Sequence, residues 1–215
     1  AISKGGSLED AQRKALAQRM SRYSGLSAQV YMENNLVVPY NLFWKELLRD
    51  QGYTIGRLDS RYKGLDKQNA GNKPDYNAEL TAWLQAFTPA INIYLRDELE
   101  YKTDLKYNMF GQVWPWDSQN NKTGENLRQA IAQNPFLHLL VQSGYYDGAC
   151  DYFNAKYSIW QLDPGGKLKS RIKWEGYRSG HMMYLRKDDL ATATENLRKF
   201  IKEATPAKGT PAKYE

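Results

Sequence analysis

Apolar positions in this 215-residue chain change their spacing along its length. Up to about residue 122 the longer patterned stretches have apolar positions every three or four residues, the period of an amphipathic helix. Ser7-Leu8-Glu9-Asp10 reads as a helix start with Ser7 as cap, and the helix is expected over 11–23, stopped at Gly25. Ser27 is expected to cap a short helix reaching about Asn35. Pro39 opens another, with Leu42, Phe43, Leu47 and Leu48 as its apolar face and Gly52 as its end. Alternation with glycine from Thr54 to Gly64 predicts a short strand or hairpin. Residues 64–75 are loop by composition. A long helical pattern covers 76–101, with Pro89 expected to kink or divide it. Residues 107–121 are irregular and aromatic, centred on Trp114-Pro115-Trp116, and a helix is expected over 125–133.

Beyond Asn134-Pro135 the period switches to strand, helix, strand, helix. Strands are expected at 136–142 and 168–177, with a helix over 151–162 between them and a turn at Pro164-Gly165-Gly166. Phe153, Tyr157 and Trp160 fall on related faces of that helix. Asp188 and Asp189 open a last helix over 190–203, whose apolar stripe is Leu190, Leu197, Phe200 and Ile201. The tail, 205–215, has nothing obvious to bury and is expected to be disordered. The chain thus divides into a helical region, 1–122, and an α/β segment, 123–204. Two parallel strands are too few for a sheet covered on both faces, so the segment is expected to join further strands.

Composition narrows the classes. Hydrophobic residues are 41% and charged residues 25%, as in ordinary globular proteins. Sixteen Tyr and six Trp imply half-polar contact surfaces, such as a groove for an organic ligand. No run of eighteen apolar residues could span a membrane, and the first twenty residues show no signal-peptide core. The net charge of +6 admits a polyanion partner. The basic residues are dispersed among 24 acids and carry no nucleic-acid motif, so a solvated surface is the better reading. The single cysteine, Cys150, excludes an internal disulfide, and with only His138 and His181 beside it no zinc cluster is expected.

The candidate chemistry lies where the two late strands end. The first runs into Ser143-Gly144-Tyr145-Tyr146-Asp147-Gly148, the second into Ser179-Gly180-His181. Open α/β sheets place their sites at such carboxyl ends. An Asp can there bind the imidazole N–H, fix its tautomer and stabilise its protonated form. On spacing alone, an Asp-Gly turn and a loop histidine account for the pair more readily. His138, inside the expected strand, reads as a packed sheet residue. Arg57, Asp59 and Arg61 lie on one side of a short strand and read as an ion-pair set, with substrate contact the minority alternative. Trp114 and Trp116 serve packing or a ligand groove equally well.

The segments V-Q-S-G-Y-Y-D-G-A-C-D-Y-F and G-Y-R-S-G-H-M-M-Y-L resemble the serine carboxypeptidase family of α/β hydrolases, more narrowly its bacterial branch. Gly144, Asp147 and Cys150 match the family's late motif, and Gly180, His181 and Met182 match its last. Asp151 stands where many members have Asn. The resemblance implies that Asp147 is the triad acid and His181 the general base, with Cys150, Met182 and Tyr146 lining the substrate pocket. G-L-S-A-Q-V-Y-M-E-N-N-L and I-G-R-L-D-S-R-Y-K-G are similar to the family's helical cap, inserted between its serine and its aspartate. The family's G-x-S-x-G elbow does not occur in the chain, and Ser7, Ser143 and Ser179 lack its context. The resemblance therefore implies a nucleophile in an N-terminal half outside these residues, which becomes a partner of this segment. It further implies a peptide substrate shortened from its C-terminus, no metal or organic cofactor, no nucleic-acid or membrane partner, and a periplasmic or secreted location. The rival expectation is a noncatalytic peptide- or glycan-binding module with a vestigial triad.

Overall fold

The computed structural model describes residues 2–113, 115 and 117–214, the side chains of Ile2 and Ser3 excepted. Trp114 and Trp116 lie outside the described residues, and with them the groove reading of the aromatic segment. Packing divides the chain into two units, Ala1–Thr81 and Ala82–Glu215, whereas the sequence pattern changes near residue 122.

The first unit is built on α1 (Asp10–Ser24), α2 (Ala28–Glu33) and α3 (Tyr40–Glu46). Gly25 ends α1 at φ 84°, a left-handed conformation that favours glycine, and its N–H donates to the Ser21 carbonyl. The Ser27 hydroxyl caps α2 by accepting the Val30 N–H at 3.3 Å. Ser7 does not cap α1. It ends a 3₁₀ turn, Ile2–Ser7, and its hydroxyl donates back to the Lys4 carbonyl at 2.7 Å. Its own local bond competes with the cap role, as serine hydroxyls commonly do. Ala17, Leu26 and Tyr31 form the buried core, surrounded by Met20, Val30, Phe43 and Leu47. The expected hairpin is present as antiparallel β1 (Thr54–Ile55) and β2 (Lys63–Gly64). Asp59 and Arg61 pair at its turn, 2.6 Å apart.

The expected helix from residue 76 begins later, as α4 (Leu80–Ile93). The residues before it serve the hairpin instead: the Leu65 N–H donates to the Tyr76 hydroxyl at 3.2 Å, and the Leu58 N–H donates to Glu79 Oε1 at 2.9 Å. Pro89 stays inside α4 without ending it, and a π-helical turn, Tyr94–Glu98, follows.

In the second unit come α5 (Thr123–Gln133), β3 (Leu139–Gly144), α6 (Tyr152–Leu162), β4 (Ile172–Tyr177) and α7 (Lys187–Ala204). β3 and β4 pair in parallel, from Leu139 opposite Ile172 to Gly144 opposite Tyr177, with α6 as the connection. Helices with a parallel strand pair place the unit in the α/β class. β3 starts three residues later than its apolar run, so half-buried His138 lies just before the strand rather than within it. Gln142 and Asn196 both donate to the Tyr177 hydroxyl, at 2.8 and 3.1 Å, which ties β3, β4 and α7 together. Asp151 caps α6 through the Asn154 N–H at 2.9 Å. The apolar positions of α6 are not covered: Phe153 is 75% and Trp160 60% exposed. Leu197 and Ile201 of α7 are also exposed. The tail does find a place. Tyr214 stacks under the Arg171 guanidinium, 5.6 Å away, and its hydroxyl donates to the Ala132 carbonyl. The rest of the tail, 205–213, is exposed.

Candidate active site

The site forms where β3 and β4 end side by side. Their pairing continues past the strands: the Tyr145 N–H donates to the Tyr177 carbonyl at 2.9 Å, and the Tyr146 N–H to the Ser179 carbonyl at 3.0 Å. This close approach explains Gly144. A methyl group there would lie 2.8 Å from the Gly180 carbonyl carbon and closer still to the Ser179 and Gly180 oxygens. Only a residue without Cβ lets the two loops meet.

Asp147 follows three residues later and is buried. Its Oδ1 accepts the backbone N–H groups of Ala149 at 2.8 Å and Cys150 at 3.0 Å. Its Oδ2 lies 2.8 Å from His181 Nδ1. The Asp147 side chain is 5% exposed and that of His181 45%, so the carboxylate is enclosed while the ring faces solvent. An ionised carboxylate only accepts hydrogen bonds. The proton shared by an ionised Asp147 and a neutral His181 therefore sits on Nδ1, which leaves the Nε2 lone pair free to take a proton. Hydrogen bonds to a charged group contribute about 1.5–3 kcal/mol each, enough to hold one tautomer and one ring orientation.

The turn that carries His181 is fixed from below. Ser179 is fully buried, and its hydroxyl donates to the Asp189 carboxylate with the Met183 carbonyl 3.3 Å away. Asp189 is itself paired with Arg186 at 2.7 Å. The sequence pattern marks Asp189 only as a helix-opening acid. Its link to Ser179 spans ten residues and leaves no periodic signal.

The structure brings Asp147, Cys150 and His181 together. Each offers a donor atom within 4.8 Å of the other two. The fold thus gathers the one cysteine, one of two histidines and an acid at one point, although no zinc cluster is visible in the sequence. The arrangement present is the Asp147–His181 hydrogen bond. Cys150 is exposed, Tyr146 is 39% exposed and Met182 is half-buried, all on the two loops that frame His181. Comparison of the chain with protein-family models, with curated proteins and with solved structures finds no match.

Proposed function

We propose that Asp147 and His181 are the acid and base of a Ser-His-Asp triad in a serine carboxypeptidase-like α/β hydrolase. The observation that carries this is the enclosed Asp147 carboxylate, held by two backbone N–H groups and bonded to His181 Nδ1 at 2.8 Å. Such a carboxylate orients an imidazole and stabilises its protonated form as the reaction proceeds. In this reading β3 and β4 belong to a larger parallel sheet, residues 1–122 to a helical cap, and the nucleophilic serine to an N-terminal half outside residues 1–215.

The steps in this reading are those of a Ser-His-Asp triad. His181 Nε2 accepts the serine proton as the oxygen attacks the last peptide carbonyl of the substrate. The imidazolium then gives that proton to the leaving amine, and the C-terminal amino acid departs, leaving an acyl-serine. Water attacks the acyl group next, again losing its proton to Nε2, which returns it to the serine. Cys150, Met182 and Tyr146 frame the base and would contact the substrate.

A fluorophosphonate, which phosphonylates an activated serine, tests the reading. The protein carrying both halves is expected to be labelled, and residues 1–215 alone are not. Asp147→Asn in the protein with both halves is expected to lower turnover about 10⁴-fold with substrate binding retained, as tautomer loss does in other triads. Unchanged turnover removes Asp147 from the triad. The exposed aromatic stripe Phe153, Tyr157 and Trp160 favours a second reading, a peptide- or glycan-binding module, for which no labelling at any length is expected.

A further inference from the structure

The first unit contains a cleft of about 790 Å³, apart from the Asp147–His181 pair. The cleft is open to solvent, and its volume falls within the range of small-molecule sites. One wall is the start of α3, where Tyr40 and Trp44 stack with ring centroids 6.4 Å apart and planes 16° from parallel. Trp44 is buried, which holds the stacked pair in place.

The segment from Lys73 to Asn77 also lines the cleft. This is loop, yet it is strapped on both sides. The buried Lys45 ammonium pairs with Asp66 and donates to the Gln68 carbonyl at 2.5 Å. Arg49 donates to the Gly71 carbonyl at 2.7 Å and to that of Asn69. Asp66 Oδ1 accepts the Asp75 N–H at 3.0 Å, and Asp75 Oδ2 accepts the Lys67 N–H at 2.5 Å. Tyr76 lies across Gly64, where a Cβ would meet its hydroxyl at 2.7 Å. These bonds hold the wall in place before any ligand arrives, which lowers the ordering cost of binding.

Two cations line the cleft, Arg57 and Lys73. Three other cations of the unit are held in ion pairs: Lys45 with Asp66, Arg49 with Glu46 and Arg61 with Asp59. Arg57 and Lys73 have no ion pair among the described residues. The acid of the lining, Asp75, already accepts the Lys67 N–H, and the lining charge is two cations less one acid, or +1. A guanidinium, an ammonium and an aromatic wall complement a carboxylate on an apolar body.

We infer that this cleft binds such a ligand, an aromatic or apolar carboxylate, with the carboxylate against Arg57 and Lys73 and the body against Tyr40 and Trp44. The C-terminus of a peptide and a free aromatic acid share this chemistry. The inference stands apart from the proposed triad, since it needs neither Asp147 nor His181.

Calorimetric titration of the 215-residue chain with N-acetylphenylalanine, its amide, and N-acetyl-Ala-Ala-Phe tests it. Both acids are expected to bind, and the amide at least tenfold more weakly. Arg57→Gln with Lys73→Gln is expected to abolish the preference for acid over amide. Both side chains are exposed, and an unchanged circular dichroism spectrum and melting point confirm that the variant folds. Tighter binding of the tripeptide identifies a peptide C-terminus as the ligand; equal or weaker binding identifies a free acid. Equal affinity for acid and amide, unchanged selectivity in the double variant, or no binding at millimolar concentration overturns the inference. None of these outcomes bears on fluorophosphonate labelling, so the two proposals fail separately.

Discussion

Replacing Gly144 by Ala adds one methyl group at the point where the two site loops touch. The new Cβ would sit 2.8 Å from the Gly180 carbonyl carbon, with the carbonyl oxygens of Ser179 and Gly180 nearer still. Carbon atoms in contact normally lie about 3.5–4.0 Å apart. The loops must therefore part by about 1 Å, and the obstruction is backbone, which cannot rotate aside. Overpacking of this kind costs about 1–3 kcal/mol. Parting the loops also strains the Tyr146–Ser179 hydrogen bond, worth about 0.5–1.5 kcal/mol. A total of about 2–4 kcal/mol is expected. Urea denaturation should show it as a lower midpoint at unchanged slope. Because Asp147 and His181 sit on opposite loops, the same change should lengthen their contact, which in the proposed triad would lower turnover beyond the loss of stability. A variant within 0.5 kcal/mol of the parent would refute the account of Gly144 as the residue that lets the loops meet.

Other perturbations probe the supports. Glu79 is fully buried, and Oε2 has no hydrogen-bond partner among the described residues. Burial raises its pKa above the ordinary 4.5, against the opposing effect of backbone N–H groups. The folded state therefore holds this proton more tightly than the unfolded chain does. The group's contribution to stability is greatest below pH 4.5 and declines as the pH rises through the folded-state value. Glu79→Gln removes that decline, so its urea midpoint relative to the parent should improve between pH 4.5 and 7.5; an unchanged difference would count against the argument. Ser179→Ala removes the hydroxyl that donates to buried Asp189 and is expected to cost about 1–3 kcal/mol in denaturation. An effect below 0.5 kcal/mol would show that Arg186 alone satisfies Asp189.

Local chemistry was the most legible part of the chain. Gly25 ends α1 and Ser27 caps α2, because each of those decisions is made within four residues. The parallel pair was readable from two apolar runs flanking a helical period. The helix expected at 76 starts at Leu80 because Tyr76 and Glu79 answer to a hairpin some eleven to twenty-one residues away. The site was legible as two ends: Asp147 and His181 each follow a strand and a small residue. What holds them was not. Gly144 shows in sequence as a motif match, but its need for an absent Cβ comes from carbonyls more than thirty residues downstream. The Ser179–Asp189 support is likewise a contact of tertiary structure, not of pattern. The exposed stripe on α6 has the periodicity of a buried face, because periodicity specifies which residues share a side and not what covers it.

The central claim is that Asp147 holds His181 with its proton on Nδ1 and a free lone pair on Nε2. Long-range ¹H–¹⁵N correlation of the two histidines reads this directly, with His138→Gln to assign the signals. At a pH where the ring is neutral, His181 should be the Nδ1–H tautomer, and Asp147→Asn should shift it toward Nε2–H. An Nε2–H tautomer in the parent protein, or the same tautomer mixture in both proteins, would contradict the account.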